Sequence, residues 1–342
     1  MDILERLLSD LCASLDDSDV VEPKAIVDNI ETVVFSETVE DNEFDHEYVT
    51  DLLFRSETPP NLFIFLNQCV RSKERSIVQA KVALLKFIGN FVNYSGYRIN
   101  SVSSLLFTAC YDLYCREESR EFKATCLFPI RKLLAIATSS KIDKLFSLDL
   151  ESLTGNLRLG SLFDHLMEEF RASKQSKGGR CEILKVLGLL VRVFPDHPSI
   201  FENIEKLSAL CQKQLDLNMS AGTAGSGKEP DLPTIAGCFS CVDRCMYDFE
   251  DRFRNPAQLW AQLLMAVSSV LSGDMNRYAV VGKALRLIKN HAGMFRSVLG
   301  GNLQKTYDVV QVGAAQLTLP ALCARAAIAP LPYLMLSIYM SV

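Results

Sequence analysis

"GRCEILKVLGLLVRVF", residues 179–194, sets apolar side chains three and four residues apart. Its apolar stripe is Ile183, Leu187, Leu190 and Phe194, with Leu184 and Val191 beside it. Steps of three and four put these side chains on one face of a helix. The same steps recur in residues 76–94 as Val78, Val82, Leu85, Phe91 and Val92. Apolar–polar alternation never lasts for the length of a strand. The chain therefore reads as all-α.

Short polar breaks divide the pattern, among them "NYSGYR", "CREESRE", "TGN", "KQSKGG", "FPDHPS" and "SGDMN". They predict helix pairs at 76–95 with 99–115, 119–138 with 142–153 and 157–172 with 179–194. Two more pairs follow at 199–217 with 233–250 and 256–272 with 276–291, and a last helix starts near 301. The pair starts lie 43, 38, 42 and 57 residues apart. Helix-pair repeats of the HEAT and armadillo type have periods of about 40–47 residues. The outlying spacing contains a loop of 14 residues, Asn218 to Asp231, and removing it restores 43. One helix pair is too small to bury its own apolar face, so stacked pairs share a core. The expected architecture is an α-solenoid of HEAT/armadillo-like helix pairs. A globular bundle is the alternative, and the near-constant period argues against it.

The expected organisation has three parts. Residues 1–57 form an acidic N-terminal helical cap of short amphipathic helices, closed by the linker "SETPP". Residues 58–311 form the repeats. Residues 312–342 form an apolar, irregular tail. From Val309 onward the only charge is Arg325. The final 24 residues are long enough to span a bilayer. Pro320, Pro330, Pro332 and Arg325 interrupt them, however, so a membrane anchor is not expected.

Charge is unevenly spread. The first 70 residues hold 17 acidic and 3 basic side chains, whereas the other 272 hold 24 and 33. A basic body behind an acidic head suits nucleic-acid contact, or a head that docks on a basic partner. The plainer reading is a solubilising start beside ordinary charged helix faces. The start "MDILERLLSDL" is acidic and amphipathic, unlike a signal or transit peptide. The 11 cysteines are then expected to be reduced and buried, in cytosol or nucleus.

Three motifs imitate chemistry. "GTAGSGKE" (222–229) approaches the phosphate-loop pattern, but a helix precedes it and Glu229 stands where a hydroxyl should bind Mg²⁺. Pro230 and Pro233 follow it, so no nucleotide site is expected. "CFSCVDRC" places Cys238, Cys241 and Cys245 on one helix face. The four histidines show no ligand spacing, so core packing is expected and no metal. Asp248-Phe249-Glu250 only superficially resembles a kinase D-F-G, with neither a Gly-rich loop nor an H-R-D motif present. No catalytic residue, cofactor or small-molecule substrate is expected.

Basic clusters remain. "VRSKERSIVQAK" carries Arg71, Lys73, Arg75 and Lys81. "RASKQSKGGR" carries Arg171, Lys174, Lys177 and Arg180, and "GKALRLIK" carries Lys283, Arg286 and Lys289. Phosphate contacts need only positive donors in a linear or concave array. The candidates for nucleic-acid or partner contact are Arg71, Lys73, Arg75, Lys174, Lys177, Arg180, Lys283 and Arg286. The bland reading of each cluster is a solvated helix surface. No aromatic interleaving suggests base stacking, so any contact would be to the backbone.

Several stretches carry a more specific resemblance. They are "GSLFDHLMEEF" (160–170), "VLGLLVRVFPDHPS" (186–199), "EPDLPTIAGC" (229–238) and "NRYAVVGKALRLIKNHAGMF" (276–295). Weaker similarity runs through "CVRSKERSIVQAKVALLKFIGNF" (69–91) and "EFKATCLFPIRKLL" (121–134). Together, over about residues 60–311, they resemble the N-terminal region of the DNA-dependent protein kinase catalytic-subunit family. The resemblance implies a helical-repeat arm that in the family precedes a FAT and kinase region. It implies nuclear proteins recruited by the Ku heterodimer to double-stranded DNA ends in non-homologous end joining. The arm would form part of a cradle around DNA and Ku and carry no catalytic residues. The family's kinase domain has no counterpart in these 342 residues, and the resemblance stops near Tyr307–Gln311. A free-standing HEAT-type adaptor for protein partners, with no DNA role, is the rival reading.

Overall fold

The computed structural model describes residues 2–15, 22–40, 46–139, 159–172, 177–221, 230–252, 256–268, 275–291 and 293–294. Thirteen α-helices and no strands lie among them. The contacts divide the chain into two compact units at Leu162/Phe163.

The first unit opens with α1 (Asp2–Ala13), α2 (Pro23–Glu40) and α3 (His46–Phe54). Leu4, Leu8 and Leu11, at steps of four and three, are buried, as are Ile26, Val27, Ile30 and Val34 of α2, on which α1 packs. At 18 residues α2 is longer than the short helices expected of an N-terminal cap. His46 ties α3 to the next layer: its Nε2 lies 2.9 Å from Ser95 Oγ and its ring stacks on Phe91.

The "SETPP" stretch forms a turn. Behind it lies α4 (Leu62–Gln68), a helix the apolar spacing did not predict. Asn61 starts it by accepting hydrogen bonds from the Phe63 and Ile64 N–H groups, as a side-chain N-cap does. The run Leu62-Phe63-Ile64-Phe65-Leu66 is too uniformly apolar to show a period. Four of these five side chains are buried.

Next come α5 (Arg75–Ser95), α6 (Asn100–Arg116) and α7 (Arg120–Ser139). The expected pair was 76–95 with 99–115. Instead α7 packs closely on both α6 and α5. The pairing frame is therefore shifted by one helix, because a short 3-10 turn at Gly96–Ile99 sends α6 away from α5. Along α5 and α7, Lys81 meets Phe122, Gly89 meets Phe128 and Asn93 meets Lys132. The partner number rises with the residue number, so the two helices run parallel.

The boundary falls within α8 (Leu159–Arg171), and the second unit goes on with α9 (Lys177–Val193), α10 (Pro198–Ala221), α11 (Leu232–Phe249), α12 (Pro256–Ser268) and α13 (Met275–Asn290). Of the three pairs expected here, α10 packs on α11 and α12 on α13, whereas α8 with α9, expected at 157–172 with 179–194, shows no comparable contact among the described residues. A second ladder joins α9 to α11 and α11 to α13. Between α9 and α11, Cys181 faces Gly237, Gly188 faces Cys241 and Arg192 reaches Asp248. These helices too run parallel. Helices stacked in parallel in this way, α5 on α7 and α9 on α11, are packing of the α-solenoid kind.

A Cβ built on Gly188 would sit 2.9 Å from Cys241 Cα, and one on Gly237 would sit 3.3 Å from Cys181 Cα. Each helix thus offers a glycine to a cysteine of the other, and the backbones close on one another. Of the apolar stripe on α9, Ile183, Leu184, Leu187, Leu190 and Val191 are buried, whereas Phe194, just past the helix end, is only half-buried.

Ladder contacts join residues 39 apart between α5 and α7, but 56 apart between α9 and α11. The excess lies in α10 and residues 222–229. The loop expected from Asn218 is shorter than that, because α10 continues to Ala221. "GTAGSGKE", the helix expected at 142–153, the helix expected near 301 and the tail 312–342 lie outside the described residues. Among those described, no helix is long and apolar enough to cross a membrane.

Candidate nucleic-acid interface

The expected basic clusters meet three fates. Arg71, Lys73 and Arg75 are exposed, in the turn that leads into α5 and on its first residue. None of the three has a hydrogen-bond or ion-pair partner among the described residues. Glu74 between them instead receives a hydrogen bond from Ser76. Helix N-termini favour anions, so cations beside the start of α5 gain nothing from the helix itself.

Lys81 is not part of this surface. Only 2% of it is exposed. Its Nζ donates to Glu117 Oε2 at 3.1 Å and to the Val70 carbonyl at 3.0 Å, over the Phe122 ring. Glu117 Oε1 accepts from the Ser119 N–H. A run of alternating charges near a helix start reads as surface. Here the helix face carrying Lys81 turns inward, and the partner comes from the α6–α7 turn.

The second cluster lies mostly outside the described residues. Lys174 lies outside the described residues, and so does the side chain of Lys177, the first residue of α9. Arg180 is half-buried, and its Nε has no hydrogen-bond partner among the described residues.

The third cluster gathers residues that sequence separates. Lys283 and Arg286 stand one helical turn apart on α13, where i and i+3 share a face. Lys283 is half-buried and Arg286 exposed. Arg244 on α11 and Lys185 on α9 lie close enough to act on Lys283. Arg244 donates to the Lys185 carbonyl at 3.4 Å and lies along Gly188. Burial, then the charges of Arg286, Arg244 and Lys185, lower the pKa of Lys283 from its usual value. Two anions adjoin the group, and both are engaged. Glu182 pairs with Lys185 at 2.7 Å, and Asp243 accepts from Asn290 and meets buried His291 at 3.2 Å. Lys283 and Arg286 have neither a hydrogen-bond nor an ion-pair partner among the described residues. Lys283 and Arg286, with Lys185 and Arg244 close by, offer positive charge suited to anionic oxygens.

Lys185 and Arg244 were absent from the candidates. Each looks like a lone charge on an amphipathic helix, and only the ladder α9–α11–α13 brings them to Lys283. Beside them Arg192 pairs with Asp248 at 2.9 Å and lies over exposed Tyr247.

Most of the described cysteines are core, but Cys115, expected to be buried, is exposed and Cys12 is half-buried. Cys238, Cys241 and Cys245 are buried on α11, with Cys211 of α10 in hydrogen-bonding reach of the first two. Among the described residues no group of side chains is arranged to hold a metal. Elsewhere burial pushes the Cys110 thiol up to about 12, the state of an inert thiol.

Residues 47–317 match the family described as DNA-PKcs, N-terminal. The chain belongs to the DNA-PKcs N-terminal family. The match begins before the first resembling stretch and ends a little beyond Gln311. Similar proteins include the DNA-dependent protein kinase catalytic subunit of Xenopus laevis, 26% identical over 76% of this chain and 6% of that protein. That of Gallus gallus is 29% identical over 63% of this chain and 5% of its own length. That of Dictyostelium discoideum is 21% identical over 84% of this chain and 6% of its own. The chain thus spans about 6% of the length of the curated relatives it matches.

The stretches that carried the DNA-PKcs resemblance have visible structural work. In "EPDLPTIAGC", Asp231 caps α11 by accepting from the Thr234 N–H at 3.2 Å and from its hydroxyl at 2.7 Å. Gly237 admits Cys181, and Cys238 is buried. In "NRYAVVGKALRLIKNHAGMF", His291 locks α13 to α11, and Lys283 and Arg286 face the cationic group.

Proposed function

We propose that this chain is a helical-repeat scaffold segment of a DNA-dependent protein kinase catalytic subunit. It serves in the nucleus in double-strand break repair by non-homologous end joining, without catalytic residues of its own. Its part is to engage double-stranded DNA ends, and the Ku heterodimer on them, through basic helix surfaces. Membership of the DNA-PKcs N-terminal family supports the context. The observation that carries the contact is the group Lys185, Arg244, Lys283 and Arg286, whose α13 members have no partner among the described residues. Arg71, Lys73 and Arg75 offer a second such surface on the first unit; Lys174, Lys177 and Arg180 rest on sequence alone. Contacts of this kind are to phosphate oxygens and read no sequence.

The test is binding of the 342-residue chain to a blunt DNA duplex, with and without Ku, across a salt series. Binding should weaken as salt rises. The double variant Lys283→Gln, Arg286→Gln should flatten the logarithmic salt slope by about 1.8, roughly 0.9 per lost phosphate contact. Absent or salt-independent binding, together with no effect of Ku, would overturn the contact. Protein partners that survive nuclease treatment and have no link to end joining would favour the HEAT-type adaptor instead.

A further inference from the structure

We propose that the seam between α5 and α7, where Lys86, Arg131 and Lys132 gather around Phe128, binds the phosphodiester backbone of a nucleic-acid duplex. This surface is separate from those assigned above. It rests on the DNA reading only for the identity of the polyanion; the array of cations stands without it.

Contacts fix the seam. The Phe128 ring lies against the α5 backbone at Gly89, where an added Cβ would strike it. Arg131 and Lys132, three and four residues further along α7, stand 5.0 and 5.4 Å from the centre of that ring. Lys132 also donates to Asn93 Oδ1 of α5 at 3.4 Å. Lys86 precedes Gly89 by three residues and Asn93 follows it by four, so all three share one face of α5. Lys86, Asn90 and Asn93 are exposed. Lys86 has neither a hydrogen-bond nor an ion-pair partner among the described residues.

The surrounding charges decide what fits there. α5 has no acidic residue, and α7 has one, Glu121, second from its start. Beyond Glu121 neither helix supplies an anion to the seam. Two further cations of the pair are engaged elsewhere: Lys81 is buried on Glu117, and Lys123 lies over the Tyr114 ring of α6. The acidic head adjoins at α2, where Glu31 accepts from Asn90 at 3.4 Å. An array of cations with so few anions beside it favours a polyanion, and phosphates need only such donors. The half-buried Phe128 ring already packs on Gly89 and carries two cations, so the contact is to phosphates rather than to stacked bases.

The experiment measures binding of the 342-residue chain to a blunt DNA duplex across a salt series, for the parent and for the double variant Lys86→Gln, Lys132→Gln. The logarithmic salt slope should flatten by about 1.8, roughly 0.9 per lost phosphate contact. Affinity at fixed salt should fall several-fold, while the melting temperature of the free chain stays put. Lys206→Gln with Lys213→Gln, on exposed positions of α10, should change neither slope nor affinity. A seam variant that matches the parent in both would overturn the proposal and leave the DNA reading standing on its other surfaces. A parent chain that binds no duplex at all would overturn both. Polyglutamate should displace the duplex only weakly; displacement at equal charge concentration would assign the seam to acidic polypeptides and overturn the choice of nucleic acid.

Discussion

The pairs α5–α7 and α9–α11 are the same structural step built from different materials. Both are parallel neighbours in a solenoid ladder. The first closes around large side chains of α7, with the Phe122 ring beneath Lys81 and the Phe128 ring over Gly89. It also contains a buried ion pair, Lys81 with Glu117. The second closes backbone to backbone, with Gly188 and Gly237 each admitting a cysteine of the other helix. On α5 a charge is solvated internally by a carbonyl and a carboxylate. Between α9 and α11 the backbones approach at glycine, and Arg244 donates to the Lys185 carbonyl. A lysine is thus sequestered in the first unit, while Lys283 of the second keeps no ion-pair partner among the described residues.

The largest expected effect tests the ion pair. Glu117→Ala leaves Lys81 buried without its counter-charge and should cost about 3–5 kcal/mol, read by chemical denaturation. The double change Lys81→Met, Glu117→Leu should recover most of that loss, because no buried charge remains. If Glu117→Ala alone is harmless, the pair does not hold α5 to the α6–α7 turn.

Next in size is the glycine contact. Gly188→Ala meets the Cys241 backbone and should cost about 1–3 kcal/mol as overpacking. Gly89→Ala is the control in the first unit. There the obstruction is the half-buried Phe128 ring rather than backbone, and alanine gains up to about 1 kcal/mol of helix propensity. Melting temperatures should therefore fall for the first variant and change little for the second. Equal effects would mean that the two ladders are not built differently.

A smaller contrast concerns helix starts. Asp231 caps α11 from a buried position, whereas Glu74 before α5 makes no side-chain cap. Asp231→Ala should cost about 1 kcal/mol, and Glu74→Ala should stay within about 0.5 kcal/mol.

The smallest effect is acidic. Burial works to raise the pKa of Asp243, but hydrogen bonds from His291 and Asn290, and nearby positive charge, outweigh it and hold the carboxyl below its usual value. A depressed carboxylate stabilises the fold above its unfolded pKa of about 3.9. That contribution fades as pH falls through the lower folded value. Thermal melts from about pH 5 downward should lose less stability in Asp243→Asn than in the parent chain. An unchanged acid limb would show that the α11–α13 clasp does not depend on that charge.

Most helices were legible from their apolar periods, and the exceptions are instructive. α4 was missed because a run of five apolar residues has no period to read, and its start signal is a single Asn61. α10 outran its expected end because Asn218 turns its side chain back to the Gln214 carbonyl, inside the helix. The pairing of α5 with α6 failed because chain order does not determine which neighbour a helix packs on. Of the candidate interface, Lys283 and Arg286 were legible as helix neighbours. Lys185 and Arg244 were not, since nothing local distinguishes them from other solvated charges.

By itself the amino-acid sequence determined that the chain is helical, nearly where its helices lie, that they repeat, and which family it belongs to. These follow from periodicity and from motifs read over a few turns. Tertiary structure alone decided which charges are surface and which are core, and which cations share one site. A charge takes its surroundings from residues far along the chain, 36 positions for Lys81 with Glu117 and 59 for Arg244 with Lys185. Its solvation and its pKa are properties of that packing rather than of the residues beside it in sequence.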